Sequence, residues 1–300
     1  MKRYWLAALL VLVAMAAILT GCGKKNQNDP DGELSIQPQI QEDPDTVVCY
    51  NGSTTLRFHK EDDRWVWADD AHFPLDQDVV QTLLNTLQSL RELTPIPNAK
   101  ALADYGLEGA KAYVMLSDKN DNASYVYLGN ATDGGYYMYD GVEEDGIYVA
   151  PAALMEQICG NIYDMALLPS LPHLTMNDMM SLDMVSGSRE LHLTVKDGAW
   201  FSDNVDVSDK MASMTDALGK LELAQCVDFR PASGAAGICG LTDDATTFTI
   251  SYSGDKTLTL VLGAARKDSG NYVTVNEDTT IYLLSPELSA PFLALANNGL

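Results

Sequence analysis

The hydrophobic pattern falls into three regimes. Over residues 6–19 apolar side chains run almost unbroken behind Lys2 and Arg3, in a stretch too short and too abruptly ended to remain in a bilayer as a spanning helix. From 23 to 45 the pattern lapses into polar residues interrupted by Pro30, Pro38 and Pro44, which predicts a flexible tether. Beyond that, apolar positions return with two alternating periods. Residues 54–58 and 65–68 flank a charged turn, as 190–196 and 199–202 flank Asp197-Gly198, and both pairs read as hairpins. A helix follows each. Val79, Val80, Leu83, Leu84, Leu87 and Leu90 form a stripe at helical spacing behind an Asp76 or Asp78 cap, and Met211, Met214, Leu218 and Leu221 form a thinner one. Strands are then expected over 113–116, 125–128, 136–139 and 147–149, and again over 247–251, 257–262, 272–275 and 281–284.

The order of elements therefore occurs twice, and the residues repeat with it. Gly106-Leu107 recurs as Gly240-Leu241, Leu128-Gly129 as Leu262-Gly263, Ile147-Tyr148 as Ile281-Tyr282 and Leu154 as Leu288, all offset by 134. Residues 106–154 and 240–288 share 11 identities in 49 gapless positions. Trp65 and Trp200 are offset by 135, which puts one gap upstream. These spacings predict an α+β fold of two tandem repeats, each an antiparallel meander with one main packed helix. The expected boundaries are a signal peptide over 1–21, a tether over 22–45, repeats over 46–162 and 188–300, and a connecting segment over 163–187.

Leu102-Ala103-Asp104-Tyr105-Gly106-Leu107, the strand ending Tyr127-Leu128-Gly129-Asn130 and the strand Gly146-Ile147-Tyr148-Val149, after a Trp-bearing hairpin and a Leu-rich helix, resemble the domain-of-unknown-function 4340 family of bacterial envelope lipoproteins. The resemblance covers 47–160 well and 188–300 more loosely. The second stretch has Cys239 for the tyrosine and Ala264 for the asparagine, so a role for those side chains does not carry over to it. The resemblance implies a membrane-anchored, extracytoplasmic protein, in some cases encoded or fused with auxiliary components of gliding-type ABC transporters. It implies no catalytic residues.

The N-terminal end adds an anchor. Leu19-Thr20-Gly21-Cys22 resembles the bacterial lipobox, which implies that Cys22 carries a diacylglyceryl group and that residues 1–21 are removed. Each buried methylene contributes about 0.8 kcal/mol, so two or three acyl chains suffice to hold the protein at the membrane without a spanning helix. Loss of Lys2 and Arg3 leaves 17 basic residues against 42 acidic ones, a formal charge of −25. Nucleic acid and anionic head groups are repelled by such a surface.

Catalytic motifs are missing. His59, His72, His173 and His192 form no His-Glu-x-x-His or His-x-His pair, and there is no Gly-x-Ser-x-Gly or Gly-x-x-x-x-Gly-Lys. Three weaker groupings stand out. Asp118-Lys119-Asn120-Asp121-Asn122 has alternating oxygen ligands, but Ala123 and Gly129 occupy positions where a calcium loop needs glycine and glutamate, so a polar turn is expected. Met165, Met176, Met179, Met180 and Met184, with His173, carry soft donors and read first as core filler. Tyr125, Tyr127, Tyr136, Tyr137 and Tyr139 suit either a recognition surface or a half-buried sheet. Outside the cytoplasm Cys226 with Cys239, and Cys49 with Cys159, are candidate disulfides, the first closing a loop of about 14 residues.

The functional expectation is a non-catalytic binding or scaffolding lipoprotein on the extracytoplasmic face of the cell membrane. It carries no cofactor beyond the lipid on Cys22; its expected partners are the membrane, through that anchor, and a protein of the envelope, and the resemblance implies an accessory role to an ABC transport system. The alternatives are a solute-binding lipoprotein of an importer and an envelope hydrolase using unassigned carboxylates.

Overall fold

The computed structural model describes residues 37–142 and 146–300, and the signal segment, Cys22 and the tether as far as residue 36 lie outside them. The described chain is α+β, with two antiparallel sheets. In the first, β1 (Thr46–Tyr50), β2 (Thr55–Glu61) and β3 (Arg64–Trp67) precede helix α1 (Gln77–Ser89); β4 (Ala112–Ser117), β5 (Ala123–Thr132), β6 (Gly135–Tyr139) and β7 (Ile147–Pro151) follow, and helix α2 (Ala152–Cys159) closes it. The strand order is β3-β2-β1-β4-β5-β6-β7.

The second sheet begins with β8 (Met179–Ser186), β9 (Arg189–Lys196), β10 (Ala199–Ser202) and the short β11 (Val205–Asp206). Helix α3 (Ser208–Gly219), β12 (Gln225–Asp228) and the short α4 (Ala235–Ile238) come next, before β13 (Thr246–Tyr252), β14 (Lys256–Arg266), β15 (Gly270–Val275), β16 (Ile281–Leu284) and helix α5 (Pro286–Asn298). Its order is β11-β10-β9-β8-β13-β14-β15-β16-β12. Without the edge strands β11 and β12 it is the order of the first sheet.

Each sheet buries one face. Strand alternation turns Val47, Cys49, Val114, Leu116, Val126 and Leu128 inward beneath Val80, Leu83, Leu84 and Leu87 of α1. Asp76 caps α1 by accepting from the Asp78 N–H at 2.9 Å, satisfying one of the donors a helix start leaves open. The second sheet packs Leu182, Leu193, Phe248, Leu260 and Val273 against Met211, Met214 and Leu218 of α3 and Phe292 of α5. Tyr163, Ala166 and Phe229 touch both cores. At the open edge of the first sheet the Gln77 amide pairs with Trp65, accepting from its N–H at 2.9 Å and donating to its carbonyl at 3.0 Å, and so stands in for a further strand.

The repeated glycines meet in contact. A Cβ on Gly129 would lie 2.3 Å from the Tyr105 carbonyl oxygen and 3.0 Å from Leu107, and one on Gly263 would lie 2.3 Å from the Cys239 carbonyl and 3.0 Å from Leu241. Gly106 and Gly240, both at positive φ, end the turns that deliver those carbonyls.

Two expectations of extent change. Residues 37–45, assigned to the tether, lie on the first sheet: Ile40 is buried, the Gln39 N–H donates to Asp140, and the Gln41 N–H donates to Ser124. Met179–Ser186, assigned to the connecting segment, is β8, a central strand pairing with β9 and β13.

Candidate functional site

The outward face of the first sheet carries a row of tyrosines. Tyr50 pairs with Tyr113, Tyr113 with Tyr127, and Tyr127 with Tyr139, each directly opposite across neighbouring strands β1, β4, β5 and β6. Ring centroids along this row are 5.4, 6.3 and 6.1 Å apart. Tyr125, two residues from Tyr127 and therefore on the same face, stacks on it at 5.7 Å with planes 6° apart. The Tyr105 ring meets Tyr137 edge-on at 4.7 Å. All these tyrosines are half-buried. Burial first, and then the neighbouring phenols of Tyr125, Tyr113 and Tyr139, push the Tyr127 hydroxyl above the usual tyrosine range.

The row is chemically distinct from its surroundings. Strands β1, β4, β5, β6 and β7 contain no Asp, Glu, Lys, Arg or His, in a chain with 42 acidic residues. Interface centres combine tyrosine enrichment with depletion of charge. The second sheet supplies an internal comparison. By register the counterparts of Tyr50, Tyr113, Tyr127 and Tyr139 are Val185, Thr247, Val261 and Thr274, which pair in the same sequence. Beside them Asp183 and His192 form an exposed cross-strand pair. The same strand order is therefore built on the second sheet with valine and threonine at these positions.

A cavity of about 290 Å³ lies between Tyr163, Asp164 and Ala166 on one side and Gln225, Cys226 and Leu283 on the other. Its polar groups are engaged with one another or nearby: Tyr163 donates to Asp228 at 3.2 Å and Gln225 Nε2 donates to Asp164 at 2.7 Å. Burial, then the Asp228 charge, raises the Tyr163 phenol.

Residues 65–232 match the family described as Domain of unknown function (DUF4340), more than half of the chain. The chain belongs to that family. The DUF4340 match runs from β3 through β12 and so takes in parts of both sheets, where the sequence reading had given each half its own copy. No curated protein and no solved structure matches the chain.

The remaining sequence candidates are dispersed. Met165 lies in the first core and Met179 and Met184 in the second, Met176 accepts from the Thr215 hydroxyl at 3.8 Å, and Met180 is exposed. They do not converge on a metal. Asp118 spends its carboxylate inside its own turn, accepting from the Asn120 and Asn122 N–H groups and the Asn122 amide, and the Asn122 bonds hold it below the usual carboxylate range. His59, His72 and His192 each face a different carboxylate, Glu61, Asp70 and Asp183. Among the described residues no three His, Cys, Asp or Glu side chains come together. Of the tyrosines read from sequence, Tyr136 turns inward against the first core, and Tyr50 and Tyr113 join the row unforeseen. Strand register finds them: Tyr113 through the pairing of β4 with β5, and Tyr50 through the pairing of β1 with β4.

Cys49, Cys159, Cys226 and Cys239 stand as free thiols, so neither candidate disulfide is formed in the structure. Cys49 points into the first core from β1 whereas Cys159 is exposed at the end of α2. Burial pushes the Cys49 thiol up to about 12, and burial with the charges of Asp228 and Asp278 pushes Cys226 up to about 11.

Proposed function

We propose that the protein is a non-catalytic binding or scaffolding lipoprotein, held at the extracytoplasmic face of the cell membrane by lipid on Cys22 and serving as an accessory to an ABC transport complex. The observation that carries the binding role is the uncharged tyrosine row on the first sheet of a strongly acidic chain, replaced by valine and threonine on the second. Tyrosine supplies large contact area at small entropic cost, and buried charge would disfavour an interface there. The lipobox-like Leu19-Thr20-Gly21-Cys22 supports the anchor. No helix among the described residues is long and apolar enough to cross a membrane.

We also read the two sheets as copies of one duplicated module. The shared strand order and the Gly129 and Gly263 contacts, reached through residues offset by 134, support that reading.

The test has two arms. Radiolabelled palmitate labels the wild type and not Cys22→Ala; equal labelling removes the anchor. Pull-down from solubilised membranes recovers one membrane complex with the wild type and not with a Tyr113→Thr, Tyr127→Val double variant. Equal recovery removes the tyrosine row from the binding role.

A further inference from the structure

We propose that the tyrosine face of the first sheet rests on the lipid headgroup layer of the membrane that holds the Cys22 anchor, and that a protein partner is met from that docked position. The inference rests on the anchor and the binding role above and adds what covers the face while the partner is away.

The first argument is where the chain from the anchor joins the body. Residues 37–45 are fastened across strand ends of the first sheet: Pro38 and Ile40 are buried, the Gln39 N–H donates to Asp140 at 3.0 Å, the Gln41 N–H donates to Ser124 at 2.9 Å, and the Gln88 amide donates to the Gln41 and Glu42 carbonyls at 2.7 and 3.0 Å. Asp140 directly follows Tyr139, and Ser124 directly precedes Tyr125. Gly141 comes so close to Tyr127 that a Cβ there would lie 3.3 Å from the ring. The arm therefore joins the body beside the tyrosine row. Gln37 is fifteen residues from Cys22, a length that spans at most about 55 Å when fully extended. A face held within that reach needs little intrinsic affinity, because the anchor makes its contact with the bilayer an intramolecular event.

Composition is the second argument. Beside the row Tyr50, Tyr113, Tyr127 and Tyr139 runs another cross-strand row, Val48, Met115 and Tyr125, and Tyr137 pairs with Val149. Apolar side chains among tyrosines, on strands without a charged residue, are the mixture suited to a membrane–water boundary, where the ring is apolar and the hydroxyl wet. Arg57 of β2, exposed and paired in register with Val48, sets a cation at the rim for lipid phosphate. In the second sheet the row matching Val48, Met115 and Tyr125 is Asp183, Thr249 and Thr259, and Asp183 is bonded to His192. The half that the anchor chain joins is thus the half that carries the face. Charge is the third argument. Carboxylates resist losing their water against a bilayer, so a surface with a formal charge of −25 makes the uncharged face the one that docks at least cost.

The experiment places the full lipidated chain in phosphatidylcholine vesicles that include a phosphatidylcholine with a diazirine in its headgroup, and reads photo-adducts by peptide mass spectrometry. Adducts on residues 112–139 are expected to exceed those on 246–275 by at least about tenfold, and to fall at least about fivefold in the Tyr113→Thr, Tyr127→Val variant. Those replacements are the residues that the second sheet carries in the same register, and circular dichroism checks the fold. A Tyr113→Phe, Tyr127→Phe variant, which keeps the rings, is expected to stay within about twofold of the wild type. Equal adducts on the two sheets, or adducts on 112–139 that the Thr and Val replacements leave unchanged, overturn the proposal. If 112–139 takes up no adduct while the pull-down loses its membrane complex in the same variant, the binding role survives and the lipid assignment falls. If the adducts follow the tyrosines while the pull-down is unchanged, the lipid assignment stands and the row's protein contact falls.

Discussion

Gly129 and Gly263 show how one atom can be forbidden at two places for one reason. Each lets a carbonyl from the preceding turn press onto a strand, so a methyl group must displace backbone on one side or the other. Gly129→Ala and Gly263→Ala are each expected to cost about 1–3 kcal/mol in urea unfolding. Gly237→Ala, in α4 with nothing within 4 Å, is expected to be neutral or slightly stabilising. The thiols separate in the same local way. Cys159 is exposed and is expected to react with a disulfide reagent in native protein at pH 8, while Cys49, buried and with its thiol raised to about 12, is expected to react only on unfolding. Mass spectrometry of the labelled protein reads both outcomes, and a missing Cys159 adduct that appears only after reduction would restore the disulfide. At Asp278 burial opposes the charge, but hydrogen bonds from Thr280 and the Tyr282 phenol outweigh it and hold the carboxyl below the ordinary range. A carboxyl lowered on folding stabilises the protein above about pH 4 and loses that contribution as pH falls through the folded value. Asp278→Asn is therefore expected to lower the urea midpoint at pH 7 and to have a smaller effect near pH 3.

Helix α1 illustrates what an element reveals in advance. Its stripe is legible because burial repeats every three to four residues: Val80, Leu83, Leu84 and Leu87 are buried, while Val79, at the stripe's margin, is the exposed member. Leu87→Ala is expected to cost about 2–5 kcal/mol and Val79→Ala less than about 0.5 kcal/mol, by chemical denaturation. The hairpins were equally legible, because Asp62, Asp63, Asp197 and Gly198 adopt the positive φ that tight turns require. β8 was hidden because Met179, Leu182 and Met184 supply its buried side without β-branched residues, and methionine fills irregular cores as readily as strands. α2 buries only Leu154 and Ile158, whereas α5 buries Leu288, Phe292 and Leu295 at helical spacing and sets Phe292 against Phe248 at 5.0 Å. The tyrosine row was half legible. Alternation placed Tyr125 and Tyr127 on one face and the sequence grouped Tyr139 with them, but Tyr113 joins through the β4–β5 register and Tyr50 through the pairing of β1 with β4, which no local pattern encodes.

At the scale of the described body, two cores of similar construction meet through very few side chains. Phe229 touches both, packs edge-on against Phe73 at 5.6 Å, and lies under the Arg230 guanidinium, which reaches Asp70 at 3.4 Å. That ion pair is exposed and contributes at most about 1 kcal/mol, and Phe229 shares the seam with Tyr163, which donates to Asp228 at 3.2 Å, and with the Gln225–Asp164 hydrogen bond at 2.7 Å. The wild type is accordingly expected to unfold in one transition. In protein lacking residues 1–21, and so Trp5, the tryptophans can test this, because Trp65 and Trp67 lie in the first sheet and Trp200 in the second, where its indole donates to Thr215 at 2.9 Å. With Trp200→Phe, fluorescence follows the first core alone; with Trp65→Phe and Trp67→Phe it follows the second. Phe229→Ala is expected to cost about 1–3 kcal/mol and to separate the two fluorescence midpoints, leaving each sheet to melt on its own. Coincident midpoints in that variant would show that the halves are joined by contacts other than this ring, and would locate the coupling instead at Tyr163 and Ala166, the other residues shared by both cores.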